Sequence, residues 1–302
     1  MTIFTREAFQ DGLIGFMVCL ALASAIHAAT PTVRITEAEY EGRAQLRVET
    51  PGATWFYDRA GGGFSRLIDA DGRDWISFHK DPLKESPASA AAGFRGMPNL
   101  VFGRDNPDAG AGHPGFDRCE SVVVGAETIR TVTKSRRWAW SWRFDGAQAW
   151  LTVERVDGER PWWFLYEGPV AGRWAPREQY WGTNLGGPNR ETPDHAAKGD
   201  VAGRWRWVYF GDRAVPRVLF VAHVDGDEIA DVFSYMGNTR DGLAAPDGMV
   251  VFGFGRTGAR PLMTGAGARF VVGLVESPVP DAAAHVQVAS RIAAVLSGGV
   301  AP

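Results

Sequence analysis

The chain has 302 residues, enough for one large hydrophobic core or two modest ones. Its formal net charge of −3 argues against nucleic acid and against an anionic membrane surface as partners. Its 37 glycines and 12 tryptophans favour a fold of many short strands joined by tight turns.

The N-terminal segment has the pattern of a secretory signal. An apolar run from Gly12 to Ala25 is too short to span a membrane comfortably, and small residues follow it. We therefore expect a signal peptide over residues 1–28 and a secreted or periplasmic bacterial protein with no stable membrane association after cleavage. The mature chain, residues 29–302, then forms a single domain. It keeps only Cys119, so no internal disulfide is expected.

Strand patterns occur along most of the mature chain, as short apolar or alternating runs bounded by glycine, proline and charged residues. The two Asp-Gly pairs, Asp145-Gly146 and Asp157-Gly158, are the strongest hairpin signals. Helical spacing of apolar residues is convincing only from Asp281 to Leu296. The pattern predicts an all-β chain: an antiparallel β-sandwich of jelly-roll or supersandwich type with one C-terminal helix.

A tryptophan-rich stretch from Arg136 to Gly168 is expected to form three consecutive strands. Four large rings alternate along its first strand: Trp138, Trp140, Trp142 and Phe144. With a period of two these rings share one face, which we expect to be buried in the core. The opposite faces mix rings with polar groups and are expected to line a cleft.

Carbohydrate chemistry is the functional class that these features favour. Seven aromatic and polar residues are candidates for binding sugar: Trp150, Trp163, Trp181, Glu154, Glu167, Arg177 and Asn184. The expected partner is a polysaccharide or oligosaccharide. The available histidines, tyrosines and arginines favour a secreted lyase that cleaves an acidic, uronate-containing glycan by β-elimination.

Elimination requires a neutralised uronate carboxylate, a base and an acid. Arg95 and Asn99 are the candidates for neutralisation, and His113 or His223 is the candidate base. The acid is expected to be one of two tyrosines, Tyr180 or Tyr235. These roles rest on residue type, because no spacing motif supports them.

Two other functions remain open from the sequence. Glycoside hydrolysis needs a pair of carboxyl groups across the scissile bond, which Glu154, Glu167 or a later acidic turn could supply. Alternatively, the tryptophan face is the whole site of a carbohydrate-binding protein without catalytic activity.

No cofactor is required by these reactions, and calcium is the one metal with a candidate site. Three carboxylates follow a predicted strand closely, Asp225, Asp227 and Asp231, and a hard cation prefers several oxygen ligands. The sequence has no HExxH, no paired CxxC and no closely spaced histidine pair, so it gives little support for zinc. "GFGRTG" (253–258) precedes no helix and does not fit a dinucleotide site.

Overall fold

The computed structural model describes residues 33–85 and 88–298, so the predicted signal peptide lies outside the described residues. The described residues form one compact unit. Among them, no helix is long and apolar enough to cross a membrane.

Short strands dominate the fold, as the sequence predicts. In chain order they are β1 (Arg34–Tyr40), β2 (Arg43–Thr50), β3 (Ala53–Asp58), β4 (Gly63–Asp69), β5 (Cys119–Val124), β6 (Thr128–Thr133), β7 (Ala139–Asp145), β8 (Gln148–Arg155), β9 (Phe164–Gly168), β10 (Gln179–Thr183), β11 (Gly186–Asn189), β12 (Val201–Gly203), β13 (Trp207–Asp212), β14 (Val218–His223), β15 (Asp231–Gly237), β16 (Gly248–Phe254), β17 (Arg256–Thr257), β18 (Arg260–Pro261) and β19 (Arg269–Val275). Short 3₁₀ turns span Ala90–Gly93, Val170–Gly172, His195–Ala197 and Gly242–Ala244.

These strands form one large sheet and two smaller ones that pack against it, plus the two-stranded β17-β18 ribbon. The large sheet has the order β11-β10-β13-β14-β19-β8-β7-β6-β5, and the smaller sheets are β1-β2-β3-β4 and β12-β15-β16-β9. Their strands pair antiparallel throughout. The predicted antiparallel β-sandwich is therefore confirmed.

The alternating rings of β7 lie in the core, as predicted. Trp140, Trp142 and Phe144 are fully buried. Phe64 of β4 packs edge-on against Trp142, with 4.8 Å between ring centroids, so the first small sheet covers this part of the large sheet. On the second small sheet, Phe164 stacks on Phe270 of β19 at 4.7 Å.

The one described α-helix, α1 (Ala282–Gly298), matches the predicted C-terminal helix. Asp281 begins it by accepting a hydrogen bond from the backbone N–H of Ala284 at 2.9 Å. The buried residues of α1 belong to a second apolar cluster on the opposite face of the large sheet, and Trp150 belongs to the same cluster.

The three consecutive strands predicted over Arg136–Gly168 are present as β7, β8 and β9, but the hairpin expected at Asp157-Gly158 does not form. Asp145 and Gly146 do form the turn between β7 and β8. β9, however, pairs with β16 in the other sheet, where Glu167 lies opposite Val251. Alternation gives the two faces of β9 correctly but says nothing about its partner strand, which comes much later in the chain.

Candidate functional site

Two loops lie along the free edge of β9 and bring several predicted site residues together. Gly96 exchanges two backbone hydrogen bonds with Glu167, at 2.9 and 3.0 Å, so the segment after Phe94 runs beside β9 like an added strand. The N–H of Asn99 then donates to the carbonyl of Gly112 at 2.9 Å, which holds the second loop, 109–116, beside the first.

Asn99 and Glu167 form a direct side-chain pair at this edge. The Asn99 amide donates from Nδ2 to Glu167 Oε2 at 2.5 Å, and Asn99 itself is buried. Its backbone has a left-handed φ of 48°, which is uncommon for a residue other than glycine. The indole N–H of Trp163 donates to the Asn99 carbonyl at 2.7 Å and fixes this conformation. Asn99 is thus held with its amide aimed at the carboxyl group.

The carboxyl group of Glu167 has an unusual proton affinity. Burial raises its pKa from 4.5 to about 7, although the hydrogen bond from Asn99 and the positive charge of Arg256 act in the opposite direction. The residue as a whole is half-buried, and its carboxyl group lies in largely apolar surroundings at the edge of β9. Near neutral pH both forms of this carboxyl group are populated, which is the condition for efficient proton transfer.

Arg256 was not among the predicted site residues. It is buried, and its guanidinium carbon lies 5.9 Å from the ring centroid of Trp163. Glycine at position 253 makes room for it, because a Cβ there would fall 2.4 Å from Arg256 Cδ and from Leu165 Cδ2. The sequence feature that could have identified it is an arginine placed directly after a predicted strand, within "GFGRTG" (253–258).

An exposed ring extends this cluster to the surface. Phe102 is 45% exposed and lies against Trp163, with ring centroids 4.7 Å apart. Phe102 also lines a surface concavity of about 310 Å³. The residues that line this Phe102 concavity come from three segments of the chain: Phe102, Gly103, Arg104, Asp105 and Asn106; Arg160 and Pro161; and Ala259, Arg260 and Pro261.

His113 and Arg95 belong to the two loops beside the Asn99–Glu167 pair, but their side chains are hydrogen-bonded to other groups. The two ring nitrogens of His113 face the backbone carbonyls of Phe94 and Pro114, and burial lowers its pKa. Arg95 is buried and donates to Asp247 at 2.6 Å. Neither side chain is free to act on a substrate in the way predicted.

The other predicted acid and base residues lie apart from this pair. The Tyr180 hydroxyl accepts a hydrogen bond from the backbone N–H of Val279 at 3.0 Å. Tyr235 is fully buried. His223 is buried, and its ring stacks on Phe270 at 4.7 Å. The structure therefore does not assemble the predicted set for elimination.

Most of the predicted sugar-binding residues are also dispersed. Trp150 is buried in the α1 cluster and Trp181 in the sandwich core, so neither presents an open ring face. Glu154 pairs with Arg130 at 2.7 Å on the large sheet, whereas Glu167 lies in the other sheet. Two exposed residues complete the set: Arg177 lines a second concavity, and Asn184 accepts a hydrogen bond from the backbone of Arg206.

The acidic turn does not converge on a calcium site. Asp225 pairs with Arg269 at 2.5 Å, and Asp227 accepts a hydrogen bond from the Ile229 N–H at 2.9 Å. Asp231 accepts hydrogen bonds from two buried backbone N–H groups, and burial raises its pKa to about 7. The three carboxyl groups thus have separate local partners.

Comparisons with known proteins define the fold class of the chain. No family model and no curated protein matches the sequence. Among solved structures, HI1317 matches with a TM-score of 0.51 at 11% identity, covering 82% of this chain and 97% of that one. YeaD from Salmonella typhimurium, a proposed mutarotase, matches with a TM-score of 0.50 at 9% identity and the same coverage.

These identities are low, so the likeness concerns the fold alone. Both neighbours share this β-rich sandwich fold, and the one whose activity is described, YeaD, is a proposed mutarotase and not a polysaccharide lyase. The prediction of a lyase acting on an acidic polysaccharide is therefore wrong, in agreement with the dispersal of the candidate bases and acids described above.

Proposed function

We propose that the chain is a sugar-modifying enzyme that interconverts the anomers of a small aldose, with Glu167 as its proton-transfer group. The observation that carries the proposal is a half-buried glutamate with a pKa near 7, whose carboxyl group is held by Asn99 in a sandwich of mutarotase-like fold. The Phe102 concavity adjoins this cluster through the contact of Phe102 with Trp163, and its volume of about 310 Å³ suits a small sugar better than a polymer.

Anomer exchange needs a proton transfer between two oxygens and the reversible breaking of one carbon–oxygen bond, with no external reactant. The carboxylate of Glu167 takes the proton of the anomeric hydroxyl. The carboxyl group so formed gives this proton to the ring oxygen as the bond between the anomeric carbon and the ring oxygen breaks, and the anomeric carbon becomes the aldehyde carbon. The open-chain aldehyde then closes on its other face, and the same steps run in reverse. One carboxyl group can serve both oxygens, because the two are attached to the same carbon. No cofactor takes part in this sequence.

The surrounding residues have supporting roles in this scheme. Asn99 orients the carboxyl group through its 2.5 Å hydrogen bond. The positive charge of Arg256 stabilises the carboxylate form and limits the rise of the pKa. The exposed ring of Phe102 offers a flat apolar surface against which the hydrophobic face of a sugar ring can stack.

NMR exchange spectroscopy of the anomeric protons tests the proposal. The purified protein is mixed with a panel of neutral and anionic aldoses, and the rate of α–β exchange is measured. We expect acceleration for at least one sugar, and a loss of about 10²–10⁴-fold in that rate for Glu167→Gln. Glu154→Gln is the matched control, since Glu154 pairs with Arg130 on the other sheet and should keep full activity.

Two results would count against the proposal. The first is the absence of any acceleration by the wild-type protein across the panel. The second is a Glu167→Gln variant that remains as active as the wild type, which would remove Glu167 from the reaction. A correctly folded variant is verified by its tryptophan fluorescence, because six tryptophans are fully or almost fully buried.

A further inference from the structure

Three potential metal ligands from distant parts of the sequence meet beside the turn between β1 and β2. One ligand atom from each of Glu41, His79 and Glu85 lies within 4.8 Å of the other two. This is the one such group of histidine, cysteine and acidic residues found in residues 33–85 and 88–298. The closest approach joins His79 Nδ1 and Glu41 Oε1, which are 2.5 Å apart.

The backbone positions two of these ligands before any metal binds. Glu41 occupies the β1–β2 turn, and its carboxyl group accepts a hydrogen bond from the backbone N–H of Lys80. The backbone N–H of His79 donates to the carbonyl of Ala92 at 3.0 Å. Glu85 is exposed, and its side chain can turn to complete the set. A metal would therefore require little rearrangement of the chain.

The donor set favours zinc over calcium. An imidazole nitrogen with two carboxylate oxygens suits zinc, which binds four ligands in a tetrahedron and often leaves one position to water. Calcium prefers six to eight oxygen ligands, and an imidazole nitrogen is not among its preferred ligands. Ligand atoms about 2 Å from a tetrahedral zinc ion lie roughly 3.3 Å from one another. The 2.5 Å hydrogen bond between His79 and Glu41 therefore has to open slightly, while the Glu85 ligand atom, which lies within 4.8 Å of the other two, moves inward.

We propose that Glu41, His79 and Glu85 form a zinc site. Its three ligands are too widely separated in the sequence to form a recognisable motif. The ion joins the β1–β2 turn to the segment that follows His79. That segment continues into the 3₁₀ turn Ala90–Gly93, where Ala91 clusters with Met249 and Val251 of β16. Zinc therefore fastens one small sheet to the loop that covers the other. This proposal is independent of the sugar chemistry at Glu167.

Calorimetric titration of the full chain tests the site. The protein is purified without a histidine tag, stripped with a chelator and titrated with zinc chloride. We expect one bound ion per chain and a melting temperature that rises with zinc concentration. His79→Ala and Glu85→Gln should each weaken zinc binding by about tenfold or more. Glu39→Gln is the control, because Glu39 is exposed on the same hairpin and lies outside the cluster.

The outcomes that overturn the site are specific. Wild-type protein that binds no zinc overturns it, as do His79→Ala and Glu85→Gln variants that bind zinc like the wild type. Tighter binding of calcium than of zinc also overturns it, because the imidazole would then not be a ligand. Glu85→Gln keeps the test valid if His79→Ala fails to fold, since Glu85 is exposed.

Discussion

Replacing Glu167 with glutamine removes a group whose proton affinity differs between the folded and unfolded chain. Its pKa is 4.5 in the reference state and about 7 in the fold, mainly because burial disfavours the charged form. Glutamine has nearly the same shape, carries no charge, and offers Asn99 the same type of acceptor oxygen. The substitution therefore isolates the effect of ionisation.

The sign of the effect follows from the raised pKa. Below pH 4.5 the carboxyl group is protonated in both states and costs nothing. As the pH rises toward 7, the unfolded chain releases its proton while the folded chain holds it, so the free energy of unfolding falls. The separation between 4.5 and about 7 corresponds to about 3 kcal/mol, which is fully lost once the pH exceeds 7. The wild type should thus be less stable than Glu167→Gln at pH 8.

Urea unfolding followed by tryptophan fluorescence measures this difference. Both proteins are unfolded at pH 5, 6, 7 and 8, and the variant is expected to gain about 2.5 kcal/mol over the wild type from the lowest pH to the highest, because the unfolded chain has already released part of its protons at pH 5. Asp231 also has a raised pKa, but it is present in both proteins and cancels in the difference. A difference that stays constant with pH would refute the assigned pKa.

Two further predictions concern the core and Asn99. Trp142→Ala removes a fully buried ring that packs on Phe64, and should lower the free energy of unfolding by about 3–5 kcal/mol, whereas the exposed Val123→Ala should change it by less than about 0.5 kcal/mol. A small effect of Trp142→Ala in urea unfolding would place that ring outside the core. Asn99→Ala keeps a Cβ at a left-handed φ and should be about 1 kcal/mol less stable than Asn99→Gly. Both substitutions remove the donor to Glu167, so carboxyl ¹³C NMR should show its pKa rising above the wild-type value, and an unchanged titration would contradict the pair.

The part of the fold that could be predicted from the sequence is the part governed by local pattern. Alternation identified the buried face of β7, and the turn Asp145-Gly146 identified the β7–β8 hairpin, because both depend on neighbouring residues. Capping and apolar spacing identified α1 in the same way. The partner of β9 could not be found, since Asp157-Gly158 has hairpin chemistry but the chain leaves it for the other sheet.

For the candidate site, the sequence identified residue types but not the positions of these residues relative to one another. Asn99, Trp163 and Glu167 were all identified as candidates from the sequence, but with roles in polysaccharide cleavage that the structure does not support. Their actual relationship depends on the loop 94–101 pairing with the edge of β9 through Gly96 and Glu167. Such pairing joins segments that are far apart in the chain, and no local periodicity of the sequence predicts it.

Gly253 and Arg256 show how β16 influences the carboxyl group of Glu167 on the neighbouring strand β9. β16 lies between β15 and β9, with Gly253 opposite Leu165. The missing side chain of Gly253 leaves the space through which Arg256 passes toward Glu167 and Trp163. Burial alone would raise the pKa of Glu167 further, and the nearby guanidinium partly offsets that effect. The proton affinity that suits Glu167 to its proposed reaction is therefore set mainly by burial and is moderated by a guanidinium for which Gly253 makes room.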